Sequence, residues 1–115
     1  MSCLRLPLAV LLTTGCVMLA STPASAADAQ RGEETYLRVG CWQCHGYAAQ
    51  GASTGPKLAP DPLPMEAIRD YIRVPGDRMP PYREAVLSDE EIADIHAFLE
   101  TIPPAPNLED TILAE

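Results

Sequence analysis

The run Cys41, Trp42, Gln43, Cys44 and His45 constrains this chain most, because it has the spacing C-x-x-C-H. Two thiols at this spacing can each form a thioether with one vinyl group of a haem, and the histidine that follows can reach the iron. A chain of 115 residues is short for a large hydrophobic core, and a covalent macrocycle would supply part of that core. The motif therefore predicts one small domain built around a haem.

The pair C-x-x-C also occurs in zinc sites and in redox-active disulfides. A structural zinc needs four ligands, and the mature chain offers only the two motif cysteines, His45 and the distant His96. A thioredoxin-like site needs strands in a βαβ pattern, and the sequence has no such pattern. Haem attachment is therefore the favoured interpretation of the motif.

Residues 1–26 have the pattern of a secretory signal peptide. Arg5 precedes a mostly apolar segment, 6–20, and a small-residue A-x-A site ends at Ala26. We expect export to the periplasm and cleavage after Ala26 or the residue that follows, which removes the two other cysteines. A lipid anchor at Cys16 and an uncleaved membrane anchor are the minor alternatives.

Residues 28–40 are predicted to form a first helix. Gly32 inside a helix costs roughly 1 kcal/mol relative to alanine, so a packing reason is expected. We expect another helix to approach closely at Gly32, with Tyr36 beside the contact. The alternative is a tolerated glycine near a frayed helix start.

The last helix has the clearest signals. Ser88 and Glu91 form the capping-box pattern S-x-x-E, and apolar residues then recur at helical spacing. These apolar residues are Ile92, Ile95, Phe98 and Leu99. We expect this face to pack on Gly32 and Tyr36, with His96 as a flanking residue rather than a ligand.

The segment after His45 is rich in glycine and proline, which predicts a loop. An imidazole that binds iron needs an acceptor for its other N–H, and this acceptor fixes the tautomer. We expect the carbonyl oxygen of Pro56 to be that acceptor; the alternative is a simple turn.

A second candidate ligand lies further along the chain. Met65 begins a predicted short helix that ends at about Arg73. Arg73 lies on the polar side of this helix. Met79 follows in a proline-rich loop that cannot be helical. A thioether held in a stiff loop suits an iron ligand, although a lone methionine is usually a core residue. We therefore expect Met79 to be the ligand and Met65 to be part of the core.

Together these features resemble class I c-type cytochromes, the small monohaem bacterial kind, over about residues 29–102. The resemblance runs through Gly32 and Tyr36, the C-x-x-C-H motif, residues 55–58, residues 79–82 and the last helix, in the family's order. It implies an all-α cytochrome c fold, with about three helices around one haem.

The resemblance also implies roles for individual residues. Cys41 and Cys44 would hold haem c, and His45 and Met79 would be the axial ligands of its iron. The corresponding organisation is a signal peptide at 1–26, a haem domain at 27–102 and a proline-rich acidic tail at 103–115.

Iron with two protein ligands has no open position, so we expect a one-electron carrier and not an enzyme. The expected partners are redox proteins: a dehydrogenase as donor, and an oxidase or reductase as acceptor. We expect neither a nucleic-acid partner nor stable membrane insertion after processing. The alternatives are a cytochrome subunit permanently bound to a dehydrogenase or oxidase complex, and a haem peroxidase or gas-binding protein.

Charge is distributed unevenly along the sequence. Residues 84–115 contain nine acidic side chains and no Lys or Arg, whereas residues 41–83 contain five basic and four acidic ones. The acidic end can simply aid solubility, or it can orient a molecular dipole towards partners. On the second interpretation, partners dock near Arg78 and Arg83.

Overall fold

The computed structural model describes residues 26–107, and this part of the chain contains four helices. They are α1 (Ala29–Arg38), α2 (Trp42–His45), α3 (Met65–Arg73) and α4 (Asp89–Thr101). No β-strand is present within this range, and the expectation of an all-α fold is confirmed. The one-turn helix α2, inside the C-x-x-C-H motif, adds to the three that the sequence predicts. Most of the predicted signal peptide and residues 108–115 of the tail lie outside the described residues.

Helices α1 and α4 cross at Gly32. A Cβ atom at Gly32 would overlap the carbonyl oxygen of Asp94 and lie 2.9 Å from the backbone nitrogen of Ile95, so only glycine permits this approach of the two backbones. One turn further along α1, the Tyr36 ring packs against Phe98 with 5.5 Å between ring centroids. The predicted crossing at Gly32 and Tyr36 is therefore confirmed.

A buried carboxylate fastens the start of α1 to α4. Asp94 is only 7% exposed; it accepts hydrogen bonds from the backbone N–H of Asp28 at 2.6 Å and from Arg31 Nε at 2.9 Å. Burial alone would raise the pKa of Asp94, but the hydrogen bonds from Arg31 and Asp28 outweigh it and hold the pKa below its usual value. Asp94 is therefore a charged contact within the helix crossing.

Helix α4 begins as its sequence predicts. The Ser88 hydroxyl accepts a hydrogen bond from the backbone N–H of Glu91, and the Glu91 carboxylate accepts one from the backbone N–H of Ser88. Three acidic residues in the first turn also interact favourably with the helix dipole. The apolar face of α4 then forms much of the core, through buried Ile92, Ile95, Phe98 and Leu99.

Helix α3 has the predicted bounds, but one of its side chains does not lie where the periodicity suggests. Ile72 is buried and Met65 and Ile68 pack against the core, as expected for an amphipathic helix. The sequence assigns Arg73 only to the polar side of the helix, and this residue is less exposed than that assignment suggests. Its side chain is 22% exposed because its guanidinium turns back to bind backbone carbonyls.

Candidate haem-binding site

The single turn α2 presents the three reactive side chains of the motif. The backbone N–H of His45 donates to the carbonyl oxygen of Cys41 at 3.0 Å, which closes the turn. Cys41 is half-buried, Cys44 is exposed and His45 is 8% exposed. The turn thus brings Cys41, Cys44 and His45 together at one end of α1.

The imidazole of His45 is oriented by the loop that follows it. Its Nδ1 lies 2.7 Å from the carbonyl oxygen of Pro56, so Nδ1 carries the proton and Nε2 is the nitrogen available to a metal. The predicted His45–Pro56 contact is present, and the loop is therefore more than a turn. That this contact prepares His45 to bind iron remains a prediction.

Gly55 allows the loop to approach this closely. A Cβ atom at Gly55 would lie 2.8 Å from the carbonyl oxygen of Cys44 and 3.1 Å from Cε1 of His45. Any side chain would therefore push the loop away from the imidazole. The sequence signal is the Gly-Pro pair, which indicates a turn but not this contact.

The Cys41 environment favours a neutral sulfur. Burial raises the pKa of the Cys41 thiol to about 11. Within residues 26–107, no cluster of three or more His, Cys, Asp or Glu side chains could hold a metal ion such as zinc, whereas a thioether carries no charge and fits this partly buried position. The residues present therefore suit covalent haem attachment.

Tyrosines connect the motif to two other segments. The Tyr36 hydroxyl donates to the carbonyl oxygen of Gly46 at 2.7 Å, immediately after the motif. The Tyr82 hydroxyl donates to the carbonyl oxygen of Val39 at 3.0 Å, shortly before it. Tyr82 lies in the same loop as Met79, so this bond brings the Met79 loop to the motif.

Met79 is half-buried and packs against the hydrophobic core, as do Cys41, Tyr82 and Leu58. Met65 is also half-buried against this core, but it is the first residue of α3 and not part of the loop joined to the motif. The structure thus places Met79, rather than Met65, in the segment tied to C-x-x-C-H.

Sequence reasoning missed one aromatic pair at the site. Trp42 and Tyr47 stack with 4.6 Å between ring centroids and 16° between ring planes. The Trp42 indole also donates to the carbonyl oxygen of Leu37 at 3.2 Å, which joins α2 to α1. Aromatic residues flanking the motif are visible in the sequence, but their contact depends on the turn at Gly46.

Comparison with known proteins gives one match. A family model described as cytochrome c oxidase, cbb3-type, subunit III, matches residues 27–99. No curated protein and no solved structure matches the chain. The matched range includes C-x-x-C-H, the Pro56 loop, Met79 and most of α4.

Proposed function

Because the chain belongs to the family of cytochrome c oxidase, cbb3-type, subunit III, we propose that it is a periplasmic one-electron carrier. Members of this family have a c-type cytochrome domain with covalently bound haem c, and the domain suggests electron transfer. The finer proposal is that Cys41 and Cys44 hold the haem and that His45 and Met79 bind its iron.

The observation that carries the proposal is the His45–Pro56 contact. Nδ1 donates to a carbonyl oxygen at 2.7 Å, so the ring is held in one tautomer and one orientation. A fixed imidazole suits electron transfer, because a ligand that does not rearrange adds little to the cost of changing the oxidation state of iron. When bound, haem c supplies the Fe(III)/Fe(II) couple.

Met79 is the proposed ligand on the opposite side of the iron. It lies between Val74 and Tyr82 in a loop with three prolines, Pro75, Pro80 and Pro81, and proline restricts the backbone freedom of such a segment. With both His45 and Met79 as ligands, the iron would have no position left for a substrate. This supports a carrier over a peroxidase or a gas-binding protein.

Replacement of each methionine tests the ligation. Met79→Ala should leave haem attached, remove the weak sulfur-to-iron absorbance at the red end of the spectrum and lower the reduction potential, because a thioether ligand raises it. The reduced variant should then bind CO rapidly at neutral pH, whereas the wild type should not.

Met65→Ala is the matched control for this experiment. It removes a half-buried methionine from the same core, so it should cost stability but leave the spectrum, potential and CO binding unchanged. Rapid CO binding by the wild type would contradict the closed site. If Met65→Ala removed the sulfur-to-iron absorbance and Met79→Ala did not, Met65 would be the iron ligand.

The family's name supports a second candidate, a cytochrome subunit permanently bound to an oxidase complex. Helices long and apolar enough to span a membrane are absent from residues 26–107. Gentle extraction of cells followed by size-exclusion chromatography separates the two candidates. A free carrier should elute as a small haem protein, whereas a permanent subunit should co-elute with oxidase activity.

We further propose that residues 27–102 form the haem domain, behind a signal peptide at 1–26 and ahead of a proline-rich acidic tail at 103–115. Mass spectrometry of the mature protein tests the first boundary. The expected mass is that of a chain beginning at Ala27 or Asp28 plus one haem. A lipid adduct at Cys16 would contradict it.

A further inference from the structure

Arg73, the last residue of α3, joins three parts of the chain. Its Nη1 donates to the carbonyl oxygen of Tyr82 at 2.9 Å and to that of Leu87 at 2.8 Å. Its Nη2 donates to the carboxylate of Asp89 in the first turn of α4. A planar guanidinium with five N–H donors can make all these contacts at once, which a lysine ammonium cannot do with the same geometry.

The two carbonyl contacts lie in the loop that carries Met79. This loop connects α3 to α4 and comprises residues 74–88. The backbone N–H of Tyr82 also donates to the carbonyl oxygen of Ile72 at 3.1 Å. Tyr82 is therefore held by Arg73, by Ile72 and, through its hydroxyl, by Val39.

Residues 75–81, the stretch around Met79, are held less directly than Tyr82. Within residues 26–107, residues 75–81 make no backbone–backbone hydrogen bond with any other segment. Three of these seven residues are prolines, whose rings fix one backbone dihedral each. Two of them, Pro80 and Pro81, restrict the backbone between Met79 and Tyr82, so the position of Tyr82 constrains that of Met79.

We infer that Arg73 is a positioning residue for the Met79 ligand: it holds the α3–α4 loop closed and so keeps the thioether on the iron. The inference rests on the ligation proposed above. Charge-assisted hydrogen bonds to carbonyls are among the stronger contacts in proteins. Loss of Arg73 should therefore loosen Tyr82, which Ile72 and Val39 still hold, and let the Met79 thioether leave the iron more often.

Imidazole binding to the oxidised holoprotein measures this opening directly. Imidazole competes with Met79 for the iron, so its apparent affinity is its intrinsic affinity multiplied by the open fraction of the loop. Arg73→Gln should raise this affinity about tenfold, which is the effect expected for loss of one charge-assisted hydrogen bond. The sulfur-to-iron absorbance should weaken at a lower imidazole concentration to the same extent.

A double-variant cycle distinguishes positioning from general destabilisation. Met79→Ala should raise imidazole affinity to the fully open limit. Arg73→Gln added to Met79→Ala should then change it no further, because no ligand remains to be positioned. An equal rise in both backgrounds would overturn the inference, since Arg73 would then act on the pocket rather than on Met79.

Arg69→Gln is the matched control. Arg69 is on the same helix, one turn before Arg73, and its guanidinium pairs with the neighbouring Asp70 on the surface. Its replacement should leave imidazole affinity unchanged. A rise equal to that of Arg73→Gln would show that any lost charge on α3 opens the iron, and would overturn the specific role of Arg73.

Two milder variants keep the test decisive if Arg73→Gln does not fold. Arg73→Lys keeps the charge but not the planar donors, and Asp89→Asn removes the carboxylate that holds Nη2. Each should raise the affinity by a smaller factor than Arg73→Gln. If imidazole affinity is unchanged in every folded Arg73 and Asp89 variant, only the positioning role of Arg73 is overturned. If Met79→Ala does not raise imidazole affinity, the proposal that Met79 binds the iron is itself overturned.

Discussion

The α1–α4 crossing and the loops around C-x-x-C-H are held together in different ways. In the crossing, backbones meet at Gly32, rings pack at Tyr36 and Phe98, and Asp94 adds a buried charged contact. This region is a protein core in the ordinary sense. It is formed by side chains that exclude water from one another.

The loops around the motif are joined by hydrogen bonds between residues 9 to 11 positions apart in the chain. His45 meets Pro56, Tyr36 meets Gly46, and Arg73 meets Tyr82. Large apolar side chains of the α3–α4 loop remain exposed, including Val74 at 80% and Val86 at 57%. We expect the haem to be the packing partner of these loops, whereas the helix crossing is packed by protein side chains.

Replacement of both Cys41 and Cys44 should have the largest effect, because it removes the haem from the loops. We expect Cys41→Ala with Cys44→Ala to abolish covalent haem, because no thioether can form. The loops should then lose their packing partner, and in so small a domain the remaining core should not suffice to keep the chain folded. Mature protein should carry no haem after acid-acetone extraction, and circular dichroism should show largely lost helix.

A well-folded circular dichroism spectrum of the haem-free variant would contradict this expectation. The helix crossing would then be a self-sufficient domain, and the haem would be an addition to it. Single replacements, Cys41→Ala or Cys44→Ala, should give less holoprotein than the wild type and serve as intermediate cases.

The next prediction compares two glycines, one in each region. Gly32→Ala places a methyl group where it would overlap the carbonyl oxygen of Asp94. It should therefore cost about 2–3 kcal/mol, the upper part of the range for overpacking. Gly55→Ala meets the Cys44 carbonyl oxygen at 2.8 Å in a loop, which can shift more easily, and should cost less stability.

The effects of these two substitutions on the reduction potential of the iron should follow the opposite order. Gly55→Ala should displace the Pro56 carbonyl from His45 and change the reduction potential, because this acceptor sets the basicity of the ligand. Gly32→Ala should leave the potential unchanged in the folded protein. Urea denaturation and voltammetry on both variants provide the two measurements; a larger potential change in Gly32→Ala would contradict the division between the regions.

Both regions contain features that can be predicted from the sequence. The bounds of α3 and the capping box of α4 depend on neighbours within one turn, so periodicity and capping residues are sufficient. The crossing at Gly32 is predictable because a glycine inside a helix needs a packing reason. The His45–Pro56 contact follows from the chemistry of an imidazole ligand.

Two features that the sequence did not predict, the contacts of Asp94 and those of Arg73, depend on how separate segments come together. In the sequence, Asp94 is one charged residue among several in an acidic helix, and nothing local shows that Arg31, 63 residues earlier, pairs with it. The periodicity of α3 assigns Arg73 to the polar side, but it does not include the loop that returns over the end of the helix and binds the Arg73 guanidinium. Such pairings depend on the tertiary arrangement, which the periodicity of one helix does not contain.

Acid unfolding should show the contribution of Asp94 to the helix crossing. The pKa of Asp94 is lower in the folded chain than its usual value of 3.8, so its ionised form stabilises the fold above pH 3.8. This stabilisation is lost as the pH falls through the lowered, folded-state pKa. Asp94→Asn should cost about 1–2 kcal/mol at pH 7, because hydrogen bonds to a carboxylate are replaced by weaker ones.

The difference between Asp94→Asn and the wild type should then shrink as the pH falls below the usual pKa of 3.8. Asp70→Asn is the control, because Asp70 pairs with Arg69 at the surface, where ion pairs contribute little. Urea midpoints measured from roughly pH 2.5 to roughly pH 7 test the claim. If the urea midpoints of Asp94→Asn and the wild type differed by the same amount at every pH, the charge of the Asp94 carboxylate would not contribute to stability.

The smallest expected effect concerns charge, in which the two regions also differ. Arg78 and Arg83 are exposed and lie close to Met79 in the chain, while residues 84–115 contain nine acidic side chains and no Lys or Arg. Electrons must enter or leave close to the haem, so we expect a partner to dock on the Met79 side whatever the overall charge. Local charge there should govern the rate of encounter more than distant charge does.

Oxidation of the reduced protein by ferricyanide, an anion, measures this local field. Arg78→Glu with Arg83→Glu reverses two charges and should slow the reaction severalfold at low salt, with little effect at high salt. Deletion of residues 108–115 removes three acidic side chains and is the control for net charge. Per unit of charge, it should change the rate far less, because those charges act from a greater distance. If the deletion had the larger effect per charge, the acidic end would control docking, and the assignment to Arg78 and Arg83 would be wrong.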